Sequence, residues 1–110
     1  MNFEIRTISR FEKEFKRLTK KYPSLKVELQ KLNQVLTSNP THGINIGKGI
    51  YKIRLAIKSN GKGKSGGARV ISFVLLKSDL GIIYLTSIYD KSERPTISTK
   101  ELIQIITEIK

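Results

Sequence analysis

The sequence contains no cysteine and one histidine, His42, among its 110 residues. The absence of cysteine excludes disulfides and thiolate chemistry, and it agrees with a reducing compartment. With a single imidazole and no thiolate, a transition-metal site built from protein side chains is not expected. We therefore predict that the protein uses neither a metal nor another cofactor.

Long apolar runs are also missing. No stretch approaches the roughly 20 apolar residues that cross a membrane, and the opening residues M-N-F-E-I-R lack the apolar core of a signal peptide. These absences predict a soluble, cytoplasmic protein without membrane contact. Because a chain of this length supports one hydrophobic core, residues 1–110 are expected to form a single domain.

Acidic residues are scarce, with 9 Asp and Glu against 21 Lys and Arg and a formal net charge of +12. Between Leu29 and Ser78 there is no acidic residue, while nine Lys or Arg fall in that span. A basic surface can serve solubility alone, but cations at this density favour a polyanionic partner such as a phosphate backbone. The densest part is the stretch from Ile50 to Val74. Its cations are Lys52, Arg54, Lys58, Lys62, Lys64 and Arg69.

Hydrophobic periodicity predicts the order β-α-α-β-β-β-α, an α+β domain whose small, twisted, mainly antiparallel sheet packs against helices. The strands are expected over residues 2–7, 50–58, 69–76 and 82–89, and the helices over 9–22, 23–39 and 99–109. Residues 41–49 and 59–67 are expected to be loops, the second of them flexible. Ser9 with Glu12, and Ser98 with Glu101, show the capping-box pattern that opens helices.

The glycine-rich loop contains Gly61-x-Gly63-x-x-Gly66, which matches a dinucleotide-binding string. That fingerprint needs a helix after the glycines, whereas a strand is predicted here, so no nucleotide cofactor is expected. The glycines suit a floppy hairpin connection, and they also let phosphate oxygens approach backbone N–H groups closely. His42 stands alone in a loop, and the acidic residues show no pairing pattern, so neither a nucleophilic triad nor a carboxylate dyad is supported.

Strand order brings distant cations together. In an antiparallel meander the end of one strand lies beside the start of the strand before it. Arg69 begins the central strand and Tyr89 ends the next one, so Arg69 should meet the segment from Tyr89 to Lys91, with the glycine-rich loop above them. The alternative interpretation is a set of scattered, solvated charges.

The run G-K-G-K-S-G-G-A-R-V-I, followed by L-T-S-I-Y-D-K-S-E, resembles the RelE/HigB toxins of bacterial type II toxin–antitoxin systems. The resemblance covers nearly the whole chain. It implies a RelE-like fold and an endoribonuclease that cleaves messenger RNA in the ribosomal A site and so inhibits translation. It also implies a cognate antitoxin that silences the toxin. Two positions depart from the pattern: Ala68 replaces an aromatic residue that could stack on a base, and Asp90 replaces a small neutral residue.

The resemblance implies that Arg69 contacts the scissile phosphate and that other basic positions assist it. The expected catalytic residues are Arg54, Lys64, Arg69, Tyr89 and Lys91. The expected RNA-binding residues are Lys48, Lys52, Lys58, Lys62 and Arg94.

Such chemistry needs no histidine, because RNA carries its own nucleophile, the 2′-hydroxyl group. Arg69 and Arg54 would stabilise the charge that develops on the phosphate. The base is expected to be Lys64 or Lys52, since crowding by other cations favours a neutral amine.

Departure of the 5′-oxygen would be assisted by Lys91 or Tyr89. Three other functions fit the same scaffold: a ParE-like gyrase poison, a toxin that only blocks translation, and an RNA-binding module without turnover. The clustered cations favour an RNA target over gyrase.

Overall fold

The computed structural model describes residues 2–58, 61 and 63–109, with the backbone alone at Lys64 and Ser65. Its strands form one sheet in the order β1-β5-β4-β3-β2. The strands are β1 (Asn2–Thr7), β2 (Ile44–Gly47), β3 (Ile50–Leu55), β4 (Ala68–Lys77) and β5 (Leu80–Asp90). The helices are α1 (Ser9–Lys21), α2 (Leu25–Ser38), α3 (Gly63–Gly66) and α4 (Thr99–Ile109). Among the described residues, β1 pairs with β5 in parallel and the other strand pairs are antiparallel, so the predicted α+β class and its order of main elements are confirmed.

The sheet is covered on both faces. The first face packs on α1 and α2 through a core that includes Leu18, Leu32 and Val70. The second face packs on α4 through a core that includes Phe73 and Leu102. Because side chains alternate between the faces of a strand, the near-continuous apolar run of β4 supplies both cores.

The segment 41–49, predicted to be a loop, contains the short edge strand β2, which pairs with β3. Its glycines are hairpin residues: Gly47 and Gly49 have φ of 96° and 82°, and Lys48 between them has φ of 57°. These positive φ angles close the tight turn that the strand needs. The prediction failed because four residues that include a glycine carry too weak a strand pattern.

Two local predictions at helix starts had different outcomes. The predicted capping box at Ser9 is wrong, because Ile8 occupies the N-cap position and no side chain caps the helix. Glu12 instead accepts a hydrogen bond from Thr7 Oγ1 at 3.0 Å. At α4, Ser98 Oγ accepts the Glu101 N–H at 3.1 Å, so half of that capping box is confirmed.

The glycine-rich loop is not wholly irregular, because the four residues of α3 form a single helical turn within it. Strand β3 ends at Leu55 rather than near residue 58. Across the residues that the structure describes, no helix is both long and apolar enough to span a membrane.

Candidate active site

Three polar side chains lie side by side at one end of the sheet. Strand register pairs Arg54 of β3 with Arg69 of β4, and Arg69 with Tyr89 of β5. Directly opposed residues point to the same face with Cβ atoms about 5 Å apart. We call Arg54, Arg69 and Tyr89 the arginine–tyrosine row. The row lies on the sheet face that packs against α4. Arg69 lies beside the end of β5, as the sequence analysis predicted.

A β-bulge creates this row. Beside the turn, Lys77 pairs with Leu80, and unbroken pairing from there would set Arg69 opposite Ile88. An extra residue, Thr86, shifts the register between Ile71 and Ser72, and its Oγ1 donates to the Ile71 carbonyl at 3.0 Å. Because a shift of one residue moves every later side chain to the other face, the bulge sends Tyr89 to the Arg69 face.

Arg69 is buried, with 3% of its surface exposed. Its Nη1 donates to the Ala68 carbonyl at 3.1 Å. Burial lowers the pKa of Arg69, and the charge of Arg54 lowers it further, whereas Tyr89 acts in the opposite sense. The guanidinium remains charged, because arginine does not lose its proton in proteins. A phosphate bound beside the two guanidiniums would relieve their repulsion.

Tyr89 is 4% exposed, and its hydroxyl makes no hydrogen bond of normal geometry with any residue that the structure describes. Burial raises the pKa of Tyr89, although the nearby Thr96 side chain and the charges of Arg69 and Arg94 act to lower it. A phenol in this state is protonated at neutral pH. Tyr89 is therefore suited to donate a hydrogen bond or a proton, and it is not suited to be the base.

Lys91 and the glycine-rich loop meet beside the row. The exposed Lys91 donates its backbone N–H to the Gly67 carbonyl at 3.1 Å. Gly67 has no room for a side chain, because a Cβ atom would lie 2.2 Å from the Leu55 carbonyl oxygen. The loop is thus held between the ends of β3 and β5. Lys64 belongs to α3 in this loop, but its side chain, like the whole of Lys62, lies outside the described residues.

Lys52 lies on the same strand face as Arg54, two residues away, and is half-buried. Lys52 and Arg54 line a groove of about 270 Å³ together with His42. The sequence predicts an isolated loop residue at His42. The structure places His42 on the wall of this groove, because β2 begins two residues later and pairs with β3. This pairing has no signal in the local sequence.

Two of the expected RNA-binding residues lie apart from the row. Lys48 lies in the β2–β3 turn, about 20 Å along β3 from Arg54 at the usual rise per residue, so the structure does not bring it to the site. Lys58 is exposed just beyond β3, where it lines a second groove that also includes Arg54.

Arg94 covers Tyr89, with its guanidinium carbon 6.0 Å from the ring centroid. Its Nε donates to the Thr96 carbonyl at 3.0 Å, and its guanidinium pairs with Glu101. Glu101 raises the pKa of Arg94. Because this charge already has a carboxylate partner, Arg94 is better placed to pack over Tyr89 than to bind a phosphate group.

The two departures from the family pattern lie on the opposite face from the row. Ala68 is fully buried in the core beneath α1 and α2. Asp90 pairs with Ala68 in the register and accepts a hydrogen bond from the Tyr22 hydroxyl at 2.6 Å. Lys21 Nζ lies 3.7 Å from the same carboxylate, so the charge of Asp90 is paired with a cation of α1.

The fold and the row define a small basic α+β protein that presents two arginines and a tyrosine at the ends of three neighbouring strands. A family model described as the RelE toxin of the RelE / RelB toxin-antitoxin system matches residues 8–109. The chain belongs to this family, and membership implies a cognate antitoxin as a partner. A comparison with curated proteins gave no match.

Proposed function

We propose that the protein is a toxin that cleaves messenger RNA, as a metal-independent endoribonuclease acting on transcripts in the ribosomal A site. The observation that carries the proposal is the arginine–tyrosine row, which gathers two cations and a protonated phenol within reach of one phosphate group. RelE-family toxins are generally ribonucleases, which supports the same conclusion. A ribosomal target implies a cytoplasmic protein whose cleavage inhibits translation.

The reaction begins with attack of the RNA 2′-oxygen on the adjacent phosphorus. A P–O2′ bond forms and the P–O5′ bond breaks, leaving a 2′,3′-cyclic phosphate and a 5′-hydroxyl group. Arg69 and Arg54 stabilise the charge that builds on the phosphoryl oxygens, and their positions are set by the sheet before the substrate binds. Fixed donors of this kind are typically worth about 10²–10³-fold in rate.

Two protons must also move. Tyr89 or Lys91 delivers a proton to the departing 5′-oxygen, and the buried, protonated Tyr89 suits this role. Lys64 or Lys52 accepts the proton of the 2′-hydroxyl group. The exposed Lys58 binds the RNA backbone without taking part in chemistry.

Cleavage mapping of one messenger RNA, with and without ribosomes, tests the proposal. The purified wild type should produce cuts at defined codons on ribosome-bound transcripts and few cuts on free RNA. Arg69→Gln should reduce cleavage about 10²–10³-fold. Arg6→Gln is the matched control, because Arg6 lies on β1 and pairs with Glu4 at 2.7 Å.

Three outcomes would contradict the proposal. Binding to ribosomes or RNA without any cut would indicate an inhibitor without turnover. A DNA-damage response in cells without RNA cuts would indicate a gyrase poison. Equal cleavage by wild type and Arg69→Gln would show that the arginine–tyrosine row does not contribute to cleavage.

A further inference from the structure

We propose that Asp90 is a positioning residue that orients Lys91 and Arg94 at the active site. It does so by joining the turn that carries them to the C-terminal end of α1. The catalytic consequence rests on the proposed function, whereas the structural role of Asp90 can be tested independently.

Asp90 closes the turn after β5 from two directions. Its side-chain Oδ1 accepts the Ser92 N–H at 2.9 Å and the Ser92 hydroxyl at 2.7 Å. Its main-chain oxygen accepts the N–H groups of Glu93 and Arg94 at 3.0 and 2.9 Å. The carboxylate is completely buried, so water does not compete for these bonds.

The other carboxylate oxygen of Asp90 ties this turn to α1. Oδ2 accepts the Tyr22 hydroxyl at 2.6 Å, and Tyr22 directly follows the last residue of the helix as its C-cap. Glu93 strengthens the link, because its carboxylate pairs with Arg17 at 2.8 Å and with Lys21 at 3.2 Å. The turn therefore takes its position from α1 as well as from the end of β5.

The residues held in this way lie next to the row. Lys91 is bonded to the loop at Gly67, and Arg94 packs over Tyr89. A change in the turn would move the Lys91 ammonium group and uncover the Tyr89 ring. Small displacements of this kind are expensive for a reaction that depends on alignment.

Charge alone predicts the opposite effect. Asp90 is an anion in a basic protein that is proposed to bind RNA, so its removal should favour RNA binding through simple electrostatics. The two explanations thus differ in the sign of the effect on cleavage. That difference makes the neutral, nearly isosteric variant Asp90→Asn informative.

The experiment compares Asp90→Asn and Tyr22→Phe with the matched control Asp79→Asn. Asp79 is exposed in the β4–β5 turn, and its replacement changes the net charge by the same amount. Positioning predicts that Asp90→Asn lowers kcat about tenfold or more, while RNA affinity changes by less than about threefold. Tyr22→Phe, which leaves the charge unchanged, should lower kcat in the same direction. Unchanged or faster cleavage by both variants would overturn the proposal.

Amide hydrogen exchange gives a readout that does not depend on activity. In Asp90→Asn, the amides of Ser92, Glu93 and Arg94 should exchange about tenfold faster, while the amides of central β4 keep their wild-type rates. Unchanged exchange at the three turn amides would refute positioning. If the wild type cleaves no RNA, the proposed function fails and the exchange result alone decides the role of Asp90. If Asp90→Asn does not fold, Tyr22→Phe decides both measurements.

Discussion

Replacement of Arg54 by glutamine should stabilise the fold while it slows cleavage. Arg54 is exposed and stands directly opposite the buried Arg69. The charge of Arg54 lowers the pKa of Arg69, which means that the folded protein holds these two cations against their repulsion. Removal of the Arg54 charge relieves the repulsion, and it also removes a group proposed to bind the reacting phosphate.

The magnitude follows from the register. Like charges directly opposite on neighbouring strands cost roughly 0.2–1 kcal/mol. For two unit charges at a separation of about 7 Å, taken as an example, Coulomb's law gives about 0.6 kcal/mol at the dielectric constant of water and about 2.4 kcal/mol at an effective value of 20. Solvent around the exposed Arg54 favours the lower part of this range. We therefore expect a gain of roughly 0.5–1 kcal/mol, which raises Tm by about 2–6 °C.

Thermal unfolding at low salt measures this gain. Lys77→Gln is the control, because Lys77 is exposed at the far end of β4 and its replacement lowers the net charge equally. In about 1 M salt the difference between the two variants should shrink, since the Debye length falls to about 3 Å. Cleavage by Arg54→Gln should fall about 10²–10³-fold under the same conditions that support wild-type activity.

Two results would refute the reasoning. The first is a Tm of Arg54→Gln at or below that of the Lys77 control at low salt. The second is a gain that persists undiminished when Arg69 is already replaced by methionine, because a repulsion between the two residues must vanish with either partner.

Three further predictions follow from the same contacts. Tyr89→Phe removes a buried hydroxyl without a partner of normal geometry, so urea unfolding should show unchanged or slightly higher stability while cleavage falls about 10²–10⁴-fold; clear destabilisation would mean that the hydroxyl is bonded. Gly67→Ala should cost about 1–3 kcal/mol in urea unfolding, because its Cβ would lie 2.2 Å from the Leu55 carbonyl oxygen; unchanged stability would mean that the loop can move away from β3. For Asp90, burial acts to raise the pKa, but hydrogen bonds from Tyr22 and Ser92 and the charge of Lys21 outweigh it and lower the pKa. Its contribution to stability is therefore present above the unfolded value of about 4 and lost as pH falls below it, so Tm should drop less in Asp90→Asn than in wild type on acidification.

Much of the fold could be predicted because its signals are local. The alternation of Ile53 and Leu55 with Lys52 and Arg54 indicates a half-buried strand and also shows which face is basic. The meander then places Arg69 near Tyr89 without further information. These inferences need only the period of two and short connections between strands.

The details that assemble the site are not local. The bulge at Thr86 decides whether Tyr89 or Ile88 stands beside Arg69, and it depends on contacts with another strand and with α1. Glu14 of α1 accepts hydrogen bonds from the Ser87 hydroxyl at 3.0 Å and from the Ile88 N–H at 3.2 Å, just beyond the extra residue. A sequence pattern of alternating residues does not record such partners, so the register could be predicted only to within one residue.

The same alternation explains why Ala68 and Asp90 cannot be judged by their neighbours in the sequence. Each adjoins a member of the row, Arg69 or Tyr89, and successive residues of a strand point to opposite faces. Ala68 therefore lies in the core beneath α1 and α2, where a larger aromatic side chain would displace core atoms and could not stack beside Arg69. Asp90 points to the same face and accepts a hydrogen bond from Tyr22, so its carboxylate interacts with the end of α1 and not with the row. Asp90 therefore acts on the row through its contacts with α1, whereas Arg54 and Tyr89, which are distant in sequence, lie beside Arg69 on the neighbouring strands.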